Sequence, residues 1–567
     1  MTHSFSLIDA PWLSLLPRKG RQAELRSLRH ALLDAHLVGD VMVELETQKP
    51  ALFRQVLLPV VLDALGRPRD EREWLDWFRE GKWTHDQRGR LDEYLDAHSA
   101  LFDLFHPEQP FAQVADLRTA KKETKPVGLI VATVPTGNNV PLFASRTEGD
   151  DFSLSPAQAA HWLLHTQCWD TAAIKTGAVG DARAKDGKTT GNPTGPLGQR
   201  GVTLPIGTTL FETLMLNLPV GPPPGPTDLP QWRRRGAGRA RSVDGAEWQE
   251  RHPEGLLDLW TWQSRRVRLH PAVTGQGVRV TRVVVAAGDR MQDTRGLDPH
   301  TMWRLGPASG QPDEQKEGVE APPRRPVRLQ AGIAPWRGLN VLLAADPPTT
   351  RKQTMRFATS KVLDQLARLA PRMDNAYPLR LELCGLVYGN QSAVIEDVVF
   401  DVLALPLASL DVDSDVRVAV LEVADQAEQI ANAVNHLSAD LRRALGAEPI
   451  PWDRGFRPGD VLVHDLDPLV RRFLAGMRSV GRREQIEAGQ LAWEQMAWHR
   501  SWHVADRMLR SMPATAFVGR KMSPGEGKPE RTYRTSLAEA SFIKRRSEIL
   551  HREQACRQAD VRRARRA

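Results

Sequence analysis

From Val416 to Leu445 the chain runs thirty residues without a proline or a glycine, the two residues a helix interior tolerates least. Gly459 to Met477, Arg482 to Met512 and Thr535 to Arg563 read as further long helices, separated by short or Pro/Gly-containing breaks. Each such helix must bury an apolar stripe, and short connections make sequential helices antiparallel neighbours. Residues 405–567 are therefore expected to form a C-terminal four-helix bundle. Before Leu405 helical and strand-like segments alternate, so the expected fold class is α+β: a mixed α/β globular domain over residues 1–404, then the bundle.

Within the first 404 residues, 21–105 read as helical. Pro50 to Gly66 places apolar side chains at three- and four-residue spacing and closes on a glycine. A second helix is expected from Ser155 to Lys175, with Ser155 as N-cap and Pro156 at the first helical position. Val127 to Val134 is β-like, and Arg265 to Val285 alternates β-favouring with polar residues as strands do. Three loops separate these segments, at 175–201, 221–245 and 305–337; the second contains PPPGP and RRRGAGRAR. Apolar segments return over 340–405 around a turn at Tyr388-Gly389-Asn390-Gln391.

Hydrophobic residues make up 41% and charged residues 26%, a globular balance rather than a disordered one. The net charge of +8 is local. Residues 531–567 hold eleven basic and four acidic side chains, which leaves 66 basic against 65 acidic over residues 1–530. A nearly neutral body argues against a wholly electrostatic nucleic-acid binder. Cys168, Cys384 and Cys556 are too few and too far apart for a disulfide framework or a four-cysteine zinc site. With no secretory signal pattern and no apolar run of about eighteen residues, the chain reads as soluble and cytoplasmic, with no membrane partner. Sixteen tryptophans are scattered as core and interface anchors.

Motifs for catalysis are weak. Asp186-Gly187-Lys188-Thr189 mimics the end of a phosphate-binding loop, but position 182 is alanine where that loop needs glycine. His161, His165 and Cys168 share a helical face, and His499 and His503 form an i, i+4 pair without the glutamate of a zinc protease. Packed histidines explain both, so no metal and no cofactor is expected. There is no Gly-x-Ser-x-Gly elbow. Asp413 and Asp415, and Asp465 and Asp467, are read as helix-start acids facing the positive end of a helix dipole.

Two features suit nucleic acid better. Loop 175–201 interleaves seven glycines with Lys175, Arg183, Lys185, Lys188 and Arg200. Glycine admits close backbone approach, and the cations neutralise phosphates. The turn Gly389-Asn390-Gln391-Ser392 presents two carboxamides, which read base edges or wedge between them.

Six short segments in order resemble the CasA family, the large subunit of the type I-E CRISPR surveillance complex Cascade. They are Ile8-Asp9-Ala10-Pro11-Trp12; Pro107 to Gln113; Gly207 to Leu218; Trp262 to Leu269; Tyr388 to Ala393; and the terminal helical region. The resemblance implies a non-catalytic subunit that reads the protospacer-adjacent motif of double-stranded DNA through the minor groove. It would start strand opening for the guide RNA and help recruit a helicase–nuclease. Partners implied are crRNA, the other Cascade subunits and target DNA. By position, Asn390 and Gln391 match the family's wedge. The stretch with Lys185, Lys188, Gly191, Gly195, Gly198, Arg200 and Gly201 matches its glycine loop, and Arg290 is the candidate basic finger. Asn138 to Phe143 matches the loop near the 5′ end of the guide RNA, giving Asn138, Asn139 and Phe143 as RNA contacts. The alternatives are a structural scaffold that reads no DNA, and a nuclease whose carboxylates assemble only in space.

Overall fold

The computed structural model describes residues 3–135, 151–234, 243–292, 294, 296–305, 324–344, 356–451, 455–523 and 529–565. The protein is α+β and divides into two compact units. The first comprises residues 1–333, 344–369 and 379–402; the second comprises 334–343, 370–378 and 403–567. Two short stretches from the middle of the chain thus belong with the C-terminal helices.

In the first unit, residues 21–105 are mixed rather than helical throughout. Strands Leu13–Pro17, Glu24–Arg26 and Val38–Met42 make a three-stranded antiparallel sheet, with the short helix Leu28–Leu33 between the second and third strands. The expected helix over 50–66 is present as a continuous helical run from Gln48 to Leu65, stopped at Gly66 with φ +76°. Its middle, Phe53–Leu57, is a π-helical turn with both polar members buried: Arg54 pairs with Asp298 at 3.1 Å, and Gln55 donates to the Trp262 carbonyl at 3.2 Å.

The helix started by Ser155 spans Pro156–Trp169, with a reciprocal capping box between Ser155 and Gln158. It ends six residues earlier than the sequence predicts. Asp170 turns extended at ψ 149° and pairs with the buried Lys175 at 2.5 Å and with Arg265. Lys175–Thr176 then pairs in parallel with the long strand Gly277–Ala287, itself antiparallel to Arg265–Thr274. Val127 to Val134 is not a strand. Only Lys125–Pro126 joins the sheet; Pro126 offers no amide to extend a ladder, and Val127–Ile130 closes into a 3₁₀ turn whose amides find local carbonyls.

Strands Val202–Ile206, Arg380–Tyr388 and Ile395–Ala404 form a second sheet with Arg380–Tyr388 at its centre. Two of the family-like segments place a tryptophan in the core. Trp12 and Trp262 are fully buried and donate to the Leu7 and Asp289 carbonyls, at 2.7 and 2.9 Å. Trp74, Trp162, Trp169, Trp232 and Trp260 are equally buried, as the scattered tryptophans suggested.

In the second unit, Asp415–Ala444 packs on Pro458–Gly476, Arg483–Arg510 and Thr535–Ile549. The fourth expected helix, 535–563, is broken at Leu550, and His551–Ala564 starts anew. The buried carboxylate of Glu494 explains the break: it accepts from the Arg552 and Glu553 amides at 2.7 and 3.0 Å, so it caps a new helix from a neighbouring one. Asp415 does sit in a first turn, but Asp465 and Asp467 do not. Helix Pro458–Gly476 starts earlier, at its N-terminal proline, and Asp467 instead accepts from the Trp336 indole at 2.7 Å and Arg471 at 2.8 Å.

Candidate nucleic-acid interface

Asp186 and Gly187 both have positive φ, 49° and 71°, and lie between Lys185 and Lys188, whose backbones exchange two hydrogen bonds of 2.9 Å. This is a primed two-residue hairpin turn, the conformation Asp-Gly favours, and the resemblance to a phosphate-binding loop ends there. The turn holds Lys185 and Lys188 exposed at its tip. Behind it, buried Asp181 accepts from the Thr189 hydroxyl at 2.7 Å and the Arg183 amide at 3.0 Å.

The four candidate glycines part company. Gly191 is exposed, has φ +68°, and lies against the Arg290 guanidinium, which donates to the Thr190 carbonyl at 2.7 Å. Gly195, Gly198 and Gly201 are buried. A Cβ at Gly195 would collide with the Cys168 carbonyl and the Trp169 amide, and one at Gly201 would press on Leu329 at 3.0 Å. These three glycines allow close packing of the loop on its own protein. Two cations of the loop also turn inward: Lys175 onto Asp170, and Arg200 onto Asp298 at 3.3 Å. Burial alone would raise the Asp298 pKa, but Arg54 and Arg200 hold it well below the usual carboxylate range.

Sequence reasoning missed the residue that ties the loop down. Arg265, 2% exposed, pairs with Asp170 and donates to the Thr171 and Pro193 carbonyls at 2.9 and 2.8 Å. Five donors on one rigid fork suit that task, and an arginine in a β-like run was the only available signal. Trp248 was missed as well; its ring lies 4.1 Å from the Arg290 guanidinium carbon and 4.2 Å from that of Arg183.

Asn390–Ser392 forms a single 3₁₀ turn between the strands Arg380–Tyr388 and Ile395–Ala404. Gln391 and Ser392 take left-handed φ values of 53° and 55°, a strained choice for residues other than glycine. The strain is held from both sides. Gln199 donates to the Ser392 hydroxyl, and the Ala172 amide donates to the Ser392 carbonyl at 2.8 Å. This turn is thereby fastened to the loop 175–201 and to the residues that follow helix Pro156–Trp169. Asn390 and Gln391 are exposed, and among the described residues neither carboxamide has a hydrogen-bond partner. Asn138, Asn139 and Phe143 lie outside the described residues.

The histidine sets do not converge. His161 faces the Trp12 carbonyl, His165 faces the Thr47 hydroxyl at 2.9 Å, and the Cys168 sulfur accepts from Gln55. Burial pushes the His165 pKa down to about 3 and the Cys168 thiol up to about 12. His499 and His503 are exposed. Among the described residues one group could hold a metal by distance, Glu422, Glu494 and His551. Arg552 already lies between its carboxylates, 2.6 Å from Glu422 and 2.8 Å from Glu494, and supplies the positive charge a cation would bring. No helix among the described residues is long and apolar enough to cross a membrane.

A family model described as CRISPR-associated protein Cse1 matches residues 6–504. A curated CasA/Cse1 protein of Thermus thermophilus is 29% identical over 458 residues, covering 80% of each chain. Among solved structures, Cse1 of Thermobifida fusca is 31% identical with a TM-score of 0.76, covering 97% of this chain and 98% of the other. Cse1 of Acidimicrobium ferrooxidans is 28% identical with a TM-score of 0.75, covering 98% and 99%.

Proposed function

Because the chain belongs to the CRISPR-associated protein Cse1 (CasA) family, we propose that it is the DNA-recognition subunit of a crRNA-guided Cascade complex. In this reading it tests duplex DNA for the protospacer-adjacent motif from the minor groove and opens the adjoining base pairs, so that guide RNA can pair. It carries out no reaction itself and hands the opened target to a helicase–nuclease. The helices of the second unit are the family's four-helix bundle, and Asn138, Asn139 and Phe143 serve the 5′ end of the guide RNA.

The observation that supports this best is the Asn390–Gln391 turn. Two unpaired carboxamides stand on a strained backbone that is braced by a second loop. Wedging between base pairs needs such rigidity, since unstacking costs a few kcal/mol per step, which a floppy turn would not transmit. The minor groove offers a degenerate pattern of acceptors, so several motifs should be tolerated. In the glycine loop the exposed members Lys185, Lys188 and Gly191, with Arg290, are the DNA-facing group. Gly195, Gly198, Gly201 and Arg200 act behind them by fixing the loop's shape.

The test is a double substitution, Asn390→Ala with Gln391→Ala, in the assembled complex. R-loop formation next to a cognate motif should fall at least tenfold while assembly is unchanged. Wild-type R-loop formation by that variant would overturn the reading.

A further inference from the structure

Arginines of the first unit that are removed from solvent carry an acidic partner almost as a rule. Arg54 has Asp298, Arg251 and Arg234 have Asp258, Arg265 has Asp170, and Arg266 has Asp289. This is the expected behaviour of a charge taken out of water. Half-buried Arg290 breaks the pattern, and exposed Arg183 shares its site. Both crowd one indole, Trp248, itself only 4% exposed, at 4.2 and 4.1 Å from the ring centroid. Among the described residues no carboxylate pairs with either guanidinium.

Their arrangement is built rather than incidental. Arg290 stands opposite Glu250 in a short parallel pairing of Glu250–Arg251 with Arg290–Met291, and its amide donates to the Gln249 carbonyl at 2.8 Å. That register fixes Arg290 beside Trp248. Arg183 comes from the lysine-tipped hairpin, whose base contributes Ala178 to a buried cluster with Ala246 and Val284. The Nε of Arg290 is buried without a partner, and one terminal nitrogen is spent on the Thr190 carbonyl. Burial lowers the Arg290 pKa; Glu250 opposes that shift, and Arg183 adds to it. Asp181, the other nearby acid, is occupied by Thr189 and the Arg183 amide. Two like charges on one ring repel, and the indole face offsets only about 1–2 kcal/mol of that cost for each. The missing component is an anion.

We propose that Arg183 and Arg290, aligned by Trp248, form a clamp for one backbone phosphate of duplex DNA, with Trp248 as its positioning residue. The inference rests on the DNA-recognition reading above and assigns the sequence-independent part of binding to a defined place. A phosphodiester fits better than an isolated carboxylate. Exposed Lys185 and Lys188 and the bare backbone of Gly191 extend the same surface, as a continuous polyanion requires, and paired guanidiniums match phosphate oxygens.

The test measures equilibrium binding of the fully assembled complex to two duplexes, one carrying the cognate motif and one scrambled, over a salt series. Arg183 is exposed, so Arg183→Ala leaves the fold intact. It should weaken both duplexes by the same factor, about three- to tenfold, and reduce the slope of log affinity against log salt by about 0.9, one phosphate contact. Arg183→Lys should restore the slope but not the full affinity, because a point charge replaces the fork. Trp248→Phe should weaken both duplexes by a common factor although both arginines remain, which a role limited to charge would not produce. An unchanged salt slope in Arg183→Ala overturns the clamp. If the wild-type complex binds both duplexes equally, motif reading fails while the slopes still decide the clamp. No duplex binding by the wild type defeats both.

Discussion

Gly191 and Gly195 are four residues apart and identical in sequence terms, yet they meet opposite surroundings. At Gly195 an added methyl group strikes the peptide between Cys168 and Trp169, and backbone cannot move aside as a flexible side chain can. Gly195→Ala should destabilise the protein by roughly 1–3 kcal/mol, as overpacking does, measured as an earlier denaturant midpoint. At Gly191 an added methyl group would meet only the Arg290 guanidinium, at an ordinary 3.7 Å, and the cost is the left-handed backbone, about 1–2 kcal/mol. Spacing along the chain could not separate these cases, because burial is decided by helix Pro156–Trp169 and residues near 328. For the same reason Arg200 and Lys175 read as phosphate contacts from sequence, although both are committed to aspartates of their own fold, Asp298 and Asp170. Local chemistry was legible where it acts locally, in the Ser155 cap and the Gly66 stop, whereas the Asp186-Gly187 hairpin turn was read only as a failed phosphate-binding loop. The meeting of Arg183 with Trp248, sixty-five positions away, leaves no trace in sequence.

At the level of elements, the long helices were legible because their patterns run for many turns. The break at Leu550 was not, because its cause, Glu494, lies on another helix. That carboxylate caps His551–Ala564 and pairs with Arg552, while Gln426 donates to it at 2.9 Å. Glu494→Ala should cost about 3–5 kcal/mol, the penalty for stripping one member from a buried ion pair. The amides of Arg552 and Glu553 should then exchange hydrogen at nearly the rate of a frayed terminus. Protection of both amides at the wild-type level would show that Leu550 bends for some other reason. Val127 to Val134 failed in the opposite sense. Its β-branched content was right for a strand, but Pro126 and Gly128 favour turns, and local carbonyls satisfied the amides first.

For the molecule as a whole, acid sensitivity follows from histidines kept neutral in the first unit. Burial holds His165 to about 3 and, with help from the Arg54 charge, His300 to about 3 as well. Both values lie below the unfolded reference of about 6.5, so the unfolded chain takes up protons that the folded chain refuses. The stability they contribute is complete above about pH 6.5 and is lost as pH falls toward 3, by up to about 1.4 kcal/mol per pH unit for each group. Denaturant midpoints recorded between pH 7 and 4 should fall steadily, and His165→Gln should give a shallower decline. Parallel curves for the two proteins would exclude His165 as a source.

The second unit is assembled from separate stretches of chain, and this has a consequence for synthesis on the ribosome. Trp336 is fully buried, yet the aspartate that accepts its indole hydrogen bond, Asp467, is translated 131 residues later. At about 5–20 residues per second that is a wait on the order of ten seconds. Throughout it, residues 334–343 have no helices to dock on, and a large aromatic surface stays available to chaperones or to other nascent chains. The yield of native protein should therefore depend on how fast the stretch between these two residues is read, and slow codons there would lengthen the exposure.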